Sequence, residues 1–240
     1  MNIEIHSDVV CPWCYIGLSR FDAALRDYPG REDVTVEHRP FQLDPEASRE
    51  PVPHLQAYAA KLGDPDRVAS SVAELESAAA ELGLPLHLEQ AQRVNTFDAH
   101  RLIALAAEPS SGSEQAPGGP HLQHETITRL MHAYFAEGRN LADHGELAAV
   151  AKEAGLTGVD VSAYLASDAG SAVVREQVGE GRALGVDSVP TFVFEQRWAV
   201  SGAQSAETMG QVLAQIETAM LGGGGGGCCG GGGGGCACSA

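Results

Sequence analysis

Strand-type alternation marks the two ends of this chain's body, and helical spacing fills the long stretch between them. "MNIEIHSDVV" sets Ile3 and Ile5 against polar neighbours and is closed by Ser7 and Asp8, and "VTVEHRPFQL" alternates again from Val34. Strand signals return only in "SVPTFVFEQRWAVSGAQ", as Thr191–Phe194 and Trp198–Val200 around a short polar turn. The economical arrangement is α/β: one mixed sheet assembled from both ends, residues 1–43 and 186–221, with residues 44–185 inserted as a large all-helical subdomain.

Within the first piece, Tyr15, Leu18, Phe21, Ala24 and Leu25 recur at helical spacing from Cys11 until "YPG" stops the run. Residues 1–43 therefore read as strand, helix, strand with a right-handed crossover. In the insertion, "HLQAYAAKLG" ends on Gly63, and "DPDRVASSVAELESAAAELG" starts with Asp64 as cap and Pro65 as first helical residue. "NTFDAHRLIALAAE" starts from Asn95 or Thr96, with "HETITRLMHAYFAEG", "HGELAAVAKEAG", "VSAYLAS" and "AVVREQVGEGRALG" as further helices. "PSSGSEQAPGGP", from Pro109 to Pro120, reads as a mobile surface loop, and a last helix runs from Ser205 to Met220. Residues 222–240, rich in glycine with four cysteines, cannot bury apolar surface and read as a flexible tail.

Composition removes whole classes of function. A net charge of −17 leaves no basic stripe to neutralise a phosphate backbone or meet an anionic membrane, so nucleic acid and membrane are not expected partners. Nor does any segment approach the roughly 18 apolar residues of a membrane span. Met1 to Ser7 lacks the basic start and apolar run of a secretory signal, which leads us to expect a cytoplasmic protein. In that compartment a close cysteine pair is redox-active or metal-binding more often than a structural staple.

Such a pair stands in "VVCPWCYIG". Cys11 opens the first helix, where unpaired N–H groups and the helix dipole favour an anion, so its thiolate is the expected nucleophile. Cys14, one turn on, puts its sulfur on the same side and is the expected resolving thiol. A thiol or disulfide substrate would pass through a mixed disulfide with Cys11, which Cys14 releases. A zinc site would need four ligands, and the body has no second cysteine pair. Far along the chain, Pro190 stands before a strand in "GVDSVPTFVF", where a cis turn would leave the Val189 backbone free to pair with an extended substrate. An ordinary strand-starting proline is the other reading.

Strand, CPWC at a helix start, strand, helical insertion, Val-Pro, two strands and a final helix resemble the thioredoxin-fold disulfide oxidoreductases of the DsbA type. "DVVCPWCYIG", "NTFDAHRL" and "GVDSVPTFVF" resemble their FrnE-like cytoplasmic branch, named for a polyketide-pathway protein. The resemblance spans residues 1 to 220. It implies a dithiol–disulfide oxidoreductase or isomerase without a bound cofactor, with Cys11 and Cys14 as its redox-active disulfide and Pro190 as the cis proline. Pro12, Trp13 and Val189 join Pro190 as the expected substrate-binding surface. The same superfamily holds 2-hydroxychromene-2-carboxylate isomerases and kappa-class glutathione transferases, which typically carry serine where this chain has Cys11. Glutathione as a co-substrate, with a small aromatic substrate, is therefore the competing expectation.

Other positions have two readings each. Trp13 covers the disulfide or packs on the domain. His6 is a proton carrier for the site or one histidine among nine. Asn95 and Thr96 serve as helix caps or, with His100, carry a function of the "NTFDAHR" segment. In the tail, Cys228, Cys229, Cys236 and Cys238 could gather a soft metal, relay thiols or do neither.

Overall fold

The computed structural model describes residues 1–108 and 118–222. Most of the loop expected over residues 109–120 and all but the first residue of the glycine-cysteine tail, its four cysteines included, lie outside the described residues.

The elements in order are β1 (Asn2–Ser7), α1 (Pro12–Asp27), a 3₁₀ turn (Arg31–Asp33), β2 (Thr35–Pro40), β3 (Val52–Pro53), α2 (His54–Leu62) and α3 (Pro65–Glu81). There follow β4 (Gln92–Arg93), α4 (Phe97–Ala107), α5 (Pro120–Phe135), α6 (His144–Glu153), α7 (Val161–Ala166) and α8 (Ser171–Ala183). The chain then returns through β5 (Thr191–Phe194), β6 (Trp198–Ser201) and α9 (Ala206–Gly222). One four-stranded sheet runs in the order β2-β1-β5-β6. β1 pairs with β2 in parallel and with β5 antiparallel, so both chain ends do meet in a mixed sheet.

Side chains alternate across a strand, and this splits the sheet's burden. Ile5 stands in register with Phe192, and the Phe192 ring packs on Phe21 of α1 with centroids 5.3 Å apart. α9 lies along α1 on that face. β2 is an edge strand, whose free backbone groups invite unwanted pairing. Here Gln123 of α5 covers it: the His38 N–H donates to Gln123 Oε1 at 2.9 Å, and Gln123 Nε2 donates to the His38 carbonyl at 3.0 Å.

Local chemistry fixes the insertion's helix ends. Gly63 ends α2 in the left-handed region at φ 72°, and the Asp64 carboxylate accepts from Asp66 N–H to start α3. At α4 the two candidate caps separate. Thr96 occupies the cap position without a side-chain bond, while Asn95 Oδ1 accepts from Phe97 N–H and Asn95 Nδ2 donates to the carbonyls of Pro45 and Ala47. Asn95 thus ties the loop after β2 to the start of α4.

Arg101 of α4 is buried and holds the end of α7 and the turn that follows it. Its guanidinium donates to the carbonyls of Tyr164, Leu165, Ser167 and Ala169, and to Asp98 at 2.8 Å. Two details depart from the sequence reading. α5 begins at Pro120, a turn before "HETITRLMHAYF", because proline suits a first helical position. β3 and β4 pair antiparallel over two residues, too short to leave an alternating signature. Among the described residues no helix is long and apolar enough to cross a membrane.

Candidate active site

β1 ends at Ser7, and the chain turns sharply into α1. The turn is closed by Cys11 N–H donating to the Asp8 carbonyl at 3.1 Å, while the Cys11 carbonyl accepts from Cys14 N–H at 3.0 Å and Tyr15 N–H at 3.2 Å. Cys11 is the N-cap residue, in an extended conformation, and Pro12 is the first residue of the helix. Proline fits there because its missing N–H would have had no intrahelical partner.

Among the described residues both cysteines are free thiols, and their environments differ. Cys11 keeps 5% of its surface exposed, and Cys14 keeps 1%. Burial pushes the Cys14 thiol well above the ordinary thiol range. Its hydrogen bond to Cys11 and the negative charge Cys11 can carry push it further, outweighing a backbone contact from Asp8. The Cys14 thiol therefore keeps its proton, where it can hydrogen bond to the Cys11 sulfur. Among the described residues no group of three His, Cys, Asp or Glu side chains is placed to hold a metal ion.

The loop before β5 faces the dithiol from across the sheet. The Val189–Pro190 peptide is cis, and Cys11 Sγ lies 3.9 Å from the Val189 carbonyl oxygen. The Pro190 carbonyl accepts from Gly202 N–H at 2.8 Å, and Thr191 Oγ1 donates to the Ser188 carbonyl at 2.8 Å. These bonds hold the turn at both ends. Pro12 and Trp13 are half-buried, and Trp13 packs against the hydrophobic core on one side. Cys11, Cys14, Val189 and Pro190 thus come together, with Pro12 and Trp13 at their edge.

The structure does not bring His6 to them. Its ring faces α8, with Nδ1 3.0 Å from where a Cβ on Gly181 would stand, on the sheet face opposite Ile5. Among the described residues neither ring nitrogen has a hydrogen-bond partner, and burial, opposed by Glu4, lowers its proton affinity. Proximity along β1 suggested a proton carrier for the dithiol; strand alternation sends the ring the other way.

Two positions escaped the sequence reading. Gly17 lies in α1 where Pro190 Cγ would meet a Cβ at 2.8 Å, and a glycine inside a helix was the available signal, since it weakens the helix unless packing requires it. Asp8 read only as a strand terminator, yet it is wholly buried beside the dithiol. A carboxylate three residues before the first cysteine was visible; its burial was not.

On the insertion side of Pro12 opens a cavity of about 460 Å³. Its lining is mixed: Val10, Leu43 and Val94 are apolar, His54, Tyr58 and Tyr134 aromatic, Lys61 and Arg93 cationic, and Asp8 and Asp44 acidic. His54 Nδ1 lies 3.0 Å from the Tyr134 hydroxyl, and Arg93 pairs with Asp44.

The fold has known counterparts. The probable DsbA oxidoreductase of Streptomyces coelicolor superposes with a TM-score of 0.80 at 35% identity, covering 90% of each chain. Uncharacterized protein YwbO of Bacillus subtilis is 27% identical over 194 residues, which is 80% of this chain and 86% of that protein. A 2-hydroxychromene-2-carboxylate isomerase shares the fold, with a TM-score of 0.65 at 16% identity over 92% of this chain and 98% of its own. Residues 2–214 match the DSBA-like thioredoxin domain, and the chain belongs to that family.

Proposed function

We propose that the chain is a cytoplasmic thiol–disulfide oxidoreductase that works through Cys11 and Cys14 on a protein or small-molecule substrate. In the reducing direction the Cys11 thiolate attacks one sulfur of a substrate disulfide. A Cys11–substrate disulfide forms, and the other substrate sulfur leaves as a thiolate. Cys14 then loses its proton and attacks the Cys11 sulfur. The Cys11–Cys14 disulfide forms, the second substrate thiolate leaves, and two electrons have passed from the dithiol to the substrate. The opposite direction oxidises a substrate dithiol by the same steps reversed.

The observation that carries this reading is the asymmetry of the pair. Cys11 retains some exposure at the helix N-terminus and faces the Val189 carbonyl, whereas Cys14 is sealed and keeps its proton. An extended substrate could lie along the Val189 backbone while its sulfur meets Cys11. Mass spectrometry on two variants tests it. Cys11→Ser should abolish disulfide reduction, and Cys14→Ser should accumulate mixed disulfides on Cys11. Full turnover in Cys11→Ser would refute the assignment.

The cavity beside Pro12 favours a second reading, in which glutathione or another small thiol is the co-substrate and a small aromatic molecule is isomerised or conjugated. Lys61 could meet a carboxylate, and Tyr58 and His54 offer aromatic faces. The FrnE-like resemblance points the same way, toward small molecules of secondary metabolism such as polyketides. This reading requires saturable glutathione binding, measured by calorimetry, and activity that survives Cys14→Ser. Loss of all activity in that variant, with no glutathione heat, would exclude it.

A further inference from the structure

Behind the dithiol lies a row of buried polar atoms that the sulfur chemistry alone does not require. Asp8 is 0% exposed, and its Oδ2 accepts from Leu43 N–H at 2.8 Å. Its Oδ1 makes no hydrogen bond among the described residues and lies 3.4 Å from His100 Nε2. His100, on α4, is 2% exposed, and that same Nε2 likewise makes no hydrogen bond among the described residues. A carboxylate oxygen and an imidazole nitrogen buried together are costly to keep unless they serve one another.

Beyond His100 the row continues. A cleft of about 10 Å³ is lined by His100 and His38 together with Ile103, Ile127, Arg39 and Gln177. That is room for about one water molecule. His38 Nδ1 is buried on this lining without a protein partner among the described residues, so a water there would have a nitrogen to bind. Arg39 at the rim is held by Glu4 at 3.2 Å and Glu37 at 3.3 Å. His38 is steadied from its far side, where Nε2 lies 3.1 Å from His124 Nδ1 and His124 Nε2 lies 3.4 Å from Asp22.

We propose that His100 is a positioning residue for the resolving step, carrying the proton of Cys14 from Asp8 to water in the His38 cleft. The proposal rests on the dithiol reading. As Cys14 attacks the Cys11 sulfur of the mixed disulfide, the Cys14 S–H bond breaks and its proton passes to the Asp8 carboxylate. The Cys11–Cys14 bond forms, and the electron pair of the broken bond leaves on the substrate thiolate. His100 accepts the proton from Asp8 at Nε2 and releases one from its other nitrogen to the cleft water. Asp8 is then ionised again and His100 is neutral, its proton moved from Nδ1 to Nε2. Cys14 has almost no solvent contact of its own, so its proton needs a carrier.

A two-phase reaction separates the steps. In the full chain carrying Cys228→Ser, Cys229→Ser, Cys236→Ser and Cys238→Ser, an excess of a chromogenic aromatic disulfide releases one thiolate as Cys11 attacks and a second as Cys14 resolves. Glutamine at position 100 can hold the Asp8 contact but cannot accept and release a proton. His100→Gln should leave the first phase unchanged and slow the second by about 10- to 100-fold at neutral pH. In the parent chain, D₂O should slow the second phase and spare the first. An unchanged second phase in His100→Gln, or equal slowing of both phases, would overturn the relay. If the variant does not fold, the parent decides, and a second phase insensitive to D₂O overturns it. A parent chain with no first phase would fail the dithiol reading itself, and the relay with it.

Discussion

Helix α1 and the Val189–Pro190 turn meet at Gly17, where a Cβ would stand 2.8 Å from Pro190 Cγ and 3.3 Å from Ala203. Position 17 has no side chain because the turn that faces Cys11 occupies its space. Replacing glycine by alanine inside a helix ordinarily gains about 1 kcal/mol. Here overpacking should reverse the sign, so Gly17→Ala is expected to destabilise the protein by about 1–2 kcal/mol and to slow thiol exchange as the turn shifts. Urea unfolding with a parallel exchange assay checks this, and a more stable variant of full activity would contradict it.

The buried histidines set an acid limit. Burial, with help from His124, holds His38 down to about 3, and burial also lowers His6 and His54. Below about pH 6.5 the unfolded chain takes up protons that these folded imidazoles refuse, so stability falls as pH falls from there toward 3. His124 works against the trend. Burial lowers its affinity, but the Asp22 hydrogen bond and charge, with Glu125, outweigh burial and raise it. The expected outcome is a melting temperature that drops on acidification, with a shallower slope in His38→Gln. An identical slope in the two proteins would show that His38 is not kept neutral.

Arg101 should be among the most sensitive positions of the insertion. Its removal takes a donor from four carbonyls, those of Tyr164 and Leu165 at the end of α7 and of Ser167 and Ala169 beyond it, and takes one cation from buried Asp98, which retains His144 at 2.8 Å and Arg49. Arg101→Met is expected to cost about 3–5 kcal/mol in denaturant unfolding. Lysine, without the planar fork, should recover little of that. Recovery of most of the stability by Arg101→Lys would mean that charge, not geometry, does the holding.

Much of the frame could be read from residue pattern because it rests on local physics. Alternating Ile3 and Ile5, the Cys11-Pro12 helix start, the Asp64-Pro65 cap and the Gly63 stop each act within a few residues, and each stands where the pattern puts it. What escaped reading depends on residues far apart in the chain. Gln123 covering His38 spans 85 positions, and no periodicity encodes it. The same holds for His100 against Asp8, and for His6, whose place on β1 was legible but whose facing helix was not. Thr96 looked as good a cap as Asn95. Only the loop at Pro45 and Ala47, folded back onto α4, gives Asn95 that role.

The account's central claim is that the two thiols are unequal, with Cys11 the one that reacts. Limited alkylation of the fully reduced chain at neutral pH, read out by peptide mapping, tests it most directly. The account predicts that label accumulates on Cys11 while Cys14 stays unmodified until the protein is unfolded. Label appearing on Cys14 as fast as on Cys11, or a folded protein in which Cys11 resists alkylation, would contradict it.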